Sequence, residues 1–173
     1  MAGYCGESRF LKFVADGMLG KLARWLRMLG QDVEYSNNME DSELLQMAKQ
    51  ESRVLLTRDF ELYQRALGKG IETVYFEEET GEEQLAQLAQ RFKIRLEIDM
   101  ASSRCPKCNN VVRQISLDEA SKKVEKNTLD HYREFWRCPK CGQVYWQGAH
   151  WVKIRKTLRN AREIAGESKK KGD

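Results

Sequence analysis

The chain has 173 residues, 41% of them hydrophobic and 32% charged, with a formal net charge of +4. That length suits one ordinary domain, or a small domain with a metal-stapled module. No stretch approaches the ~18 apolar residues of a membrane span, and Glu7 and Arg9 interrupt anything resembling a secretory signal, so a cytoplasmic location is expected. The charge is uneven. Residues 1–103 hold 13 Lys/Arg against 18 Asp/Glu, while residues 104–173 hold 17 against 8. Such a split fits a basic part that recruits a polyanion and an acidic part that holds cations, although solvated charge alone also produces it.

The elements follow in chain order. Phe10 to Ala15 is a short apolar run ending at Asp16 and Gly17, as a buried strand would. Leu19 to Leu29 reads as a helix with Leu22, Leu26 and Leu29 on one face and Gly30 at its C′ position. Asp32 to Tyr35 reads as a second strand, Asp41 to Gln50 as a helix, and Arg53 to Thr57 as a strand ending just before Asp59. A helix over Phe60 to Leu67, a strand over Ile71 to Phe76 and a helix over Gln84 to Phe92 follow, with Ile94 to Ile98 a last strand or a connector. This alternation predicts an α/β domain with a mainly parallel sheet flanked by helices.

Beyond Arg104 the pattern changes to C-x2-C, 29 intervening residues, C-x2-C, formed by Cys105, Cys108, Cys138 and Cys141. Each C-P-x-C turn offers two thiolates, and four thiolates close a tetrahedral Zn²⁺ site with no position left for water. The ion expected here is structural. The insertion between the knuckles has a charged, helical centre over Ser116 to Asn127, and neither His131 nor His150 is needed as a ligand. Tyr145, Trp146 and Trp151 either pack around the zinc or stack on RNA bases, and packing is the expectation. The basic segment after them, with Lys153, Arg155, Lys156, Arg159 and Arg162, suits phosphate contact. Cys5 reads as a free thiol, and residues 166–173 as a disordered basic tail.

Asp16 and Asp59 each follow a predicted strand, and Asp41 opens the helix between them. In an open parallel sheet the carboxyl edge is where ligands bind. Three carboxylates gathered there need a cation or a raised pKa, and Mg²⁺ or Mn²⁺, which prefer oxygen ligands and assist phosphodiester hydrolysis, resolve the conflict. Each aspartate also has a plainer reading, as a turn residue or a helix cap.

The run Phe13-Val14-Ala15-Asp16-Gly17-Met18-Leu19-Gly20-Lys21-Leu22-Ala23-Arg24-Trp25-Leu26-Arg27, then Asp41-Ser42-Glu43-Leu44-Leu45 and Leu55-Leu56-Thr57-Arg58-Asp59, resembles the PIN-type nuclease family known as the C-terminal RNase domain of mutator-seven proteins. The resemblance continues through Arg104 to Cys108 and Phe135 to Trp146. It implies a PIN-like nuclease domain over residues 8–100 and a zinc ribbon with a basic C-terminal helix over 101–165. It also implies catalytic, Mg²⁺- or Mn²⁺-binding roles for Asp16, Asp41 and Asp59, with a fourth acid sought among Glu43, Glu77 and Glu78. The expected activity is endonucleolytic hydrolysis of RNA, free or in a ribosome or other ribonucleoprotein, and a homodimer is compatible with it. Two rivals stand beside this reading: a non-catalytic RNA- or ribosome-binding protein, and a protein-docking adaptor.

Overall fold

In a computed structural model, residues 11–77 and 79–166 are described. Cys5, Glu78, the first predicted strand residue Phe10 and the tail beyond Gly166 lie outside them.

The first half alternates as the apolar pattern requires. Strand β1 (Lys12–Ala15) leads through a 3-10 turn (Gly17–Leu19) into helix α1 (Gly20–Met28). Then come β2 (Asp32–Tyr35), α2 (Asp41–Gln50), β3 (Val54–Thr57), α3 (Phe60–Gly68), β4 (Thr73–Tyr75) and α4 (Gly81–Phe92). All three strand pairings are parallel, and the order β2-β1-β3-β4 puts β1 and β3 side by side at the centre. Those two strands are apolar on both faces, because helices cover both. Phe13 and Leu56 point to the layer of α1 and α4, whereas Val14 and Leu55 point to α2 and α3.

Helix α1 ends as its glycine predicts. Gly30 has φ +83°, its N–H donates to the Arg27 carbonyl at 2.9 Å, and the Gln31 N–H donates to the Leu26 carbonyl at 2.9 Å. This is a Schellman closure, which any residue with a Cβ would strain. Residues 94–98 form no strand and connect α4 to the second half.

The second half holds a three-stranded antiparallel sheet, β5 (Arg113–Ile115), β6 (Phe135–Arg137) and β7 (Val144–Tyr145), in that order. Between β5 and β6 lie two short helices, α5 (Leu117–Ser121) and α6 (Lys126–His131), which split the single helical centre expected of the insertion. The last helix, α7 (Trp151–Ile164), returns to the first half and inserts Leu158 and Ala161 into the layer formed with α1 and α4. Its cations Lys153, Arg155, Lys156 and Arg159 stay exposed. No helix among the described residues is long and apolar enough to cross a membrane.

Candidate functional site

The carboxyl edge of the parallel sheet gathers the loops that follow β1, β2, β3 and β4. Asp16 comes immediately after β1, and β1 pairs with β3 in a register that aligns Ala15 with Leu56. The Asp16 side chain is buried and accepts three hydrogen bonds: from the Met18 N–H at 2.8 Å, the Thr57 hydroxyl at 2.5 Å and the Arg58 N–H at 2.8 Å. Thr57 Oγ1 in turn accepts the Asp59 N–H at 2.9 Å. One hydroxyl therefore ties the two aspartate segments together across neighbouring strands. Asp59 also caps α3, with Oδ1 accepting the Leu62 N–H at 3.0 Å. Thr57 is the residue the sequence reading passed over, although its place in Thr57-Arg58-Asp59 was the available signal.

Asp41 occupies the first turn of α2 at the same edge, and its Oδ2 pairs with Arg65 Nη1 on α3 at 2.8 Å. Glu40 is the cap of α2, in a reciprocal capping box with Glu43, whose Oε2 accepts the Glu40 N–H at 2.9 Å. Glu77 contributes its carbonyl to the Arg58 guanidinium at 2.9 and 3.1 Å. Glu79, in the same loop, has Oε2 buried with no hydrogen-bond partner among the described residues. Asp16 and Asp59 thus share an edge and a hydrogen-bond network. Asp41 stands at that edge but is held by Arg65. Among the described residues, Asp16, Asp41 and Asp59 do not come together in a group of three or more side chains that could hold a metal ion. Their oxygen chemistry suits a hard cation, while Asp41 is committed elsewhere. A groove of about 980 Å³ opens at the opposite edge, near Lys12, Gln31 and Arg95, and none of these aspartates lines it.

The cysteines converge as their spacing predicts. Cys105, Cys108, Cys138 and Cys141 place their Sγ atoms within 4.8 Å of one another, with Cys105 to Cys141 at 3.6 Å and Cys108 to Cys138 at 3.3 Å. A tetrahedron with Zn–S bonds of about 2.3 Å has edges of about 3.8 Å, so the donor set fits zinc. The knuckles are near copies. The Cys105 N–H donates to the Asn110 carbonyl and the Cys138 N–H to the Gln143 carbonyl, at 2.8 and 2.9 Å. The residue after each second cysteine, Asn109 or Gly142, is left-handed at φ 66° or 73°. Burial opposes ionisation of both inner thiols. At Cys105 the Tyr145 hydroxyl at 3.1 Å and the backbone N–H groups of Cys108 and Lys107 outweigh it and bring the thiol down to about 7. At Cys138 burial prevails, and the thiol is pushed up to about 12. Sulfurs driven apart in this way cannot all ionise without a cation among them.

Of the three aromatics expected around the zinc, Tyr145 packs against the Cys105 and Cys138 cluster, while Trp146 packs in the neighbouring cluster of Phe135. Trp136 lies buried against Cys105 and Cys138, Trp146 against Phe135 at 6.2 Å between ring centres, and the Trp151 indole donates to the Trp146 carbonyl at 3.1 Å. His131 and His150 are exposed, and neither belongs to the sulfur cluster.

The first knuckle is docked on the sheet. Asn109 Oδ1 accepts the Val33 N–H at 3.1 Å, and its amide donates to Asp32 at 2.9 Å and Glu34 at 3.2 Å. From α1, buried Arg27 donates twice to the Val33 carbonyl, at 2.8 and 2.9 Å, and once to the Pro106 carbonyl at 3.0 Å. Burial lowers its pKa, while Glu34 and the Cys105 and Cys108 sulfurs oppose that fall.

An open parallel sheet with aspartates at its carboxyl edge, clasped by a four-sulfur module, defines an α/β protein with a cysteine cluster that could hold a metal ion and a candidate ligand-binding edge. The chain belongs to the Mut7-C RNAse domain family, whose profile matches residues 11–158. That family name points to a nuclease with RNA as its substrate. Comparison with curated proteins and with solved structures finds no match.

Proposed function

We propose that the chain is a metal-dependent ribonuclease on a PIN-like scaffold, cutting RNA endonucleolytically at the edge that carries Asp16, Asp41 and Asp59. The single observation behind this reading is the hydrogen-bonded link from Asp16 through Thr57 to Asp59 across adjacent strands, in a chain of an RNase-domain family. The Met18, Thr57 and Arg58 donors fix the Asp16 carboxylate in one orientation. They leave one lone pair, on Oδ1, for a ligand, as a preorganised site requires. Asp41 joins once its pair with Arg65 opens. Both side chains are about half exposed, and such pairs contribute only about 0–1 kcal/mol. Asp16, Asp41 and Asp59 would hold Mg²⁺ or Mn²⁺, whose contribution is Lewis-acid stabilisation of phosphate charge. Glu79, with its orphaned oxygen, takes precedence over Glu43, Glu77 and Glu78 as the fourth acid. Arg58 and the exposed cations of α7 supply phosphate contacts, and the ribbon, with its Zn²⁺, aids RNA binding.

The test is cleavage of a mixed pool of labelled RNAs by zinc-loaded protein with Mn²⁺ or Mg²⁺, beside Asp59→Asn. The variant should lose more activity than the about 10–100-fold typical of changes in residues that only support a metal ligand. Its zinc content should be unchanged. Binding without turnover by the wild type would favour the non-catalytic RNA-binding reading. Absence of RNA affinity, with salt-insensitive capture of a protein, would favour the adaptor.

A further inference from the structure

Three aromatic side chains stand at the carboxyl edge outside both apolar layers. Phe60, the first residue of α3, directly follows Asp59, and 52% of it is exposed. Its ring lies 6.1 Å from Tyr63 and 5.5 Å from Tyr75, and the two tyrosine rings are 5.4 Å apart, centre to centre. Tyr75 ends β4 and is aligned with Thr57 of the Asp16–Asp59 link. None of the three belongs to the buried clusters on either face of the sheet. Among the described residues, neither tyrosine hydroxyl has a hydrogen-bond partner within the chain.

The plain account is that these rings pack the first turn of α3 against the end of β4. It covers Tyr63 and Tyr75, which are half-buried, but not Phe60. Helix α3 is already anchored by buried Leu62 and Ala66, so an exposed phenylalanine beside Asp59 adds little to its seat. Tyrosine hydroxyls without a partner in the chain suit a ligand with an apolar face and a polar rim. A cation stands close in the chain: Arg58 precedes Asp59 and uses part of its guanidinium on the Glu77 carbonyl. The patch is also small. Three rings offer far less than the about 800 Å² per partner of a standard protein interface, yet suit one or two nucleobases.

We infer that Phe60, Tyr63 and Tyr75 form a stacking platform for an unpaired base of the RNA substrate, next to the phosphate presented to Asp16 and Asp59. The inference rests on the ribonuclease reading for the identity of the ligand, but its test does not depend on turnover. Stacking requires a base free of its helix, so the platform selects single-stranded RNA over duplex.

The experiment measures binding by zinc-loaded wild type, Phe60→Ala and Phe60→Trp without added Mg²⁺ or Mn²⁺. The probes are a labelled single strand of about 12 nucleotides, a strand of equal length lacking bases, and the corresponding duplex. Phe60→Ala should weaken single-strand binding about tenfold, with Phe60→Trp restoring it. Affinity for the baseless strand and the duplex should not change, and neither should melting temperature. Unchanged single-strand affinity in Phe60→Ala overturns the platform. So does an equal loss on all three probes with a lowered melting temperature, or a wild type that does not bind the single strand. Cleavage with Mn²⁺ is scored separately. A wild type that binds through Phe60 but never cuts removes the ribonuclease reading and leaves the platform; one that cuts with Phe60-independent binding removes the platform alone.

Discussion

The two halves of the chain reach order by different means. In the α/β half, four short strands bury both faces under helices, and side chains such as Phe13, Leu55, Leu56 and Phe76 are fully enclosed. In the ribbon the strands are two or three residues long, and the enclosed side chains divide into two small clusters, one around Cys105 and Cys138 and one around Phe135. Apolar burial contributes roughly 25 cal/mol per Å², so the first half draws its stability from area, while the second buries little and is where a metal held by the four sulfurs would contribute most. Stability from area is spread over many residues, whereas stability from a metal is concentrated in four.

The largest expected effect follows from that contrast. Structural zinc contributes an apparent ~10–16 kcal/mol in small zinc modules, so stripping the ion should unfold the ribbon outright. Hydrogen exchange should show loss of protection at β5, β6 and β7 with retention in β1 and β3; parallel loss in both halves would erase the distinction. Next, Leu56→Ala should cost about 2–5 kcal/mol in thermal or denaturant unfolding with zinc content unchanged, since a cavity in the sheet core does not touch the sulfurs. Smaller still is Asn109→Ala, which removes three hydrogen bonds to β2 and puts alanine at a left-handed position. Leaving the Val33 amide unpaired should cost about 1–3 kcal/mol, read as faster exchange of that amide. The smallest effect concerns acid. Burial pushes the Asp32 carboxyl up, but hydrogen bonds from Arg53 and Asn109 outweigh it and hold the group below its ordinary 3.8. Its stabilisation is therefore present above that value and is lost as pH falls through the lower folded value. Asp32→Asn should flatten that part of the acid unfolding curve relative to wild type; superimposable curves would remove Asp32 from the joint.

The sequence carried much of this layout. Asp32 to Tyr35 and Asp41 to Gln50 are placed to the residue, because alternating apolar positions and acidic first turns are local signals. Helix α4 begins three residues earlier than its apolar face suggests, at Gly81, where the cue is the Thr-x-x-Glu capping box of Thr80 with Glu83. The sulfur cluster was legible because metal geometry dictates spacing. What stayed hidden depends on strand order and docking. The Thr57 hydroxyl meets Asp16 across 41 residues, Asn109 meets Val33 across 76, and α7 returns to α4 through Leu158 and Ala161. No local pattern encodes such meetings. The aspartates were legible as edge residues, while the capture of Asp41 by Arg65 required knowing that α2 and α3 share a face.

Strand β2 is an outer strand of its sheet, and its midpoint, Val33, has its outward N–H taken by Asn109 and its carbonyl by Arg27. An uncovered strand at this position would be a template for pairing with another chain. The second half therefore also covers this edge: protein whose four sulfurs hold no zinc should lose the Asn109 part of the cover at β2, with only Arg27 of α1 left there, and should self-associate edge to edge more readily. Light scattering that climbs on chelation and falls when Zn²⁺ is returned would register that guard directly, and scattering indifferent to zinc would show that β2 has other protection.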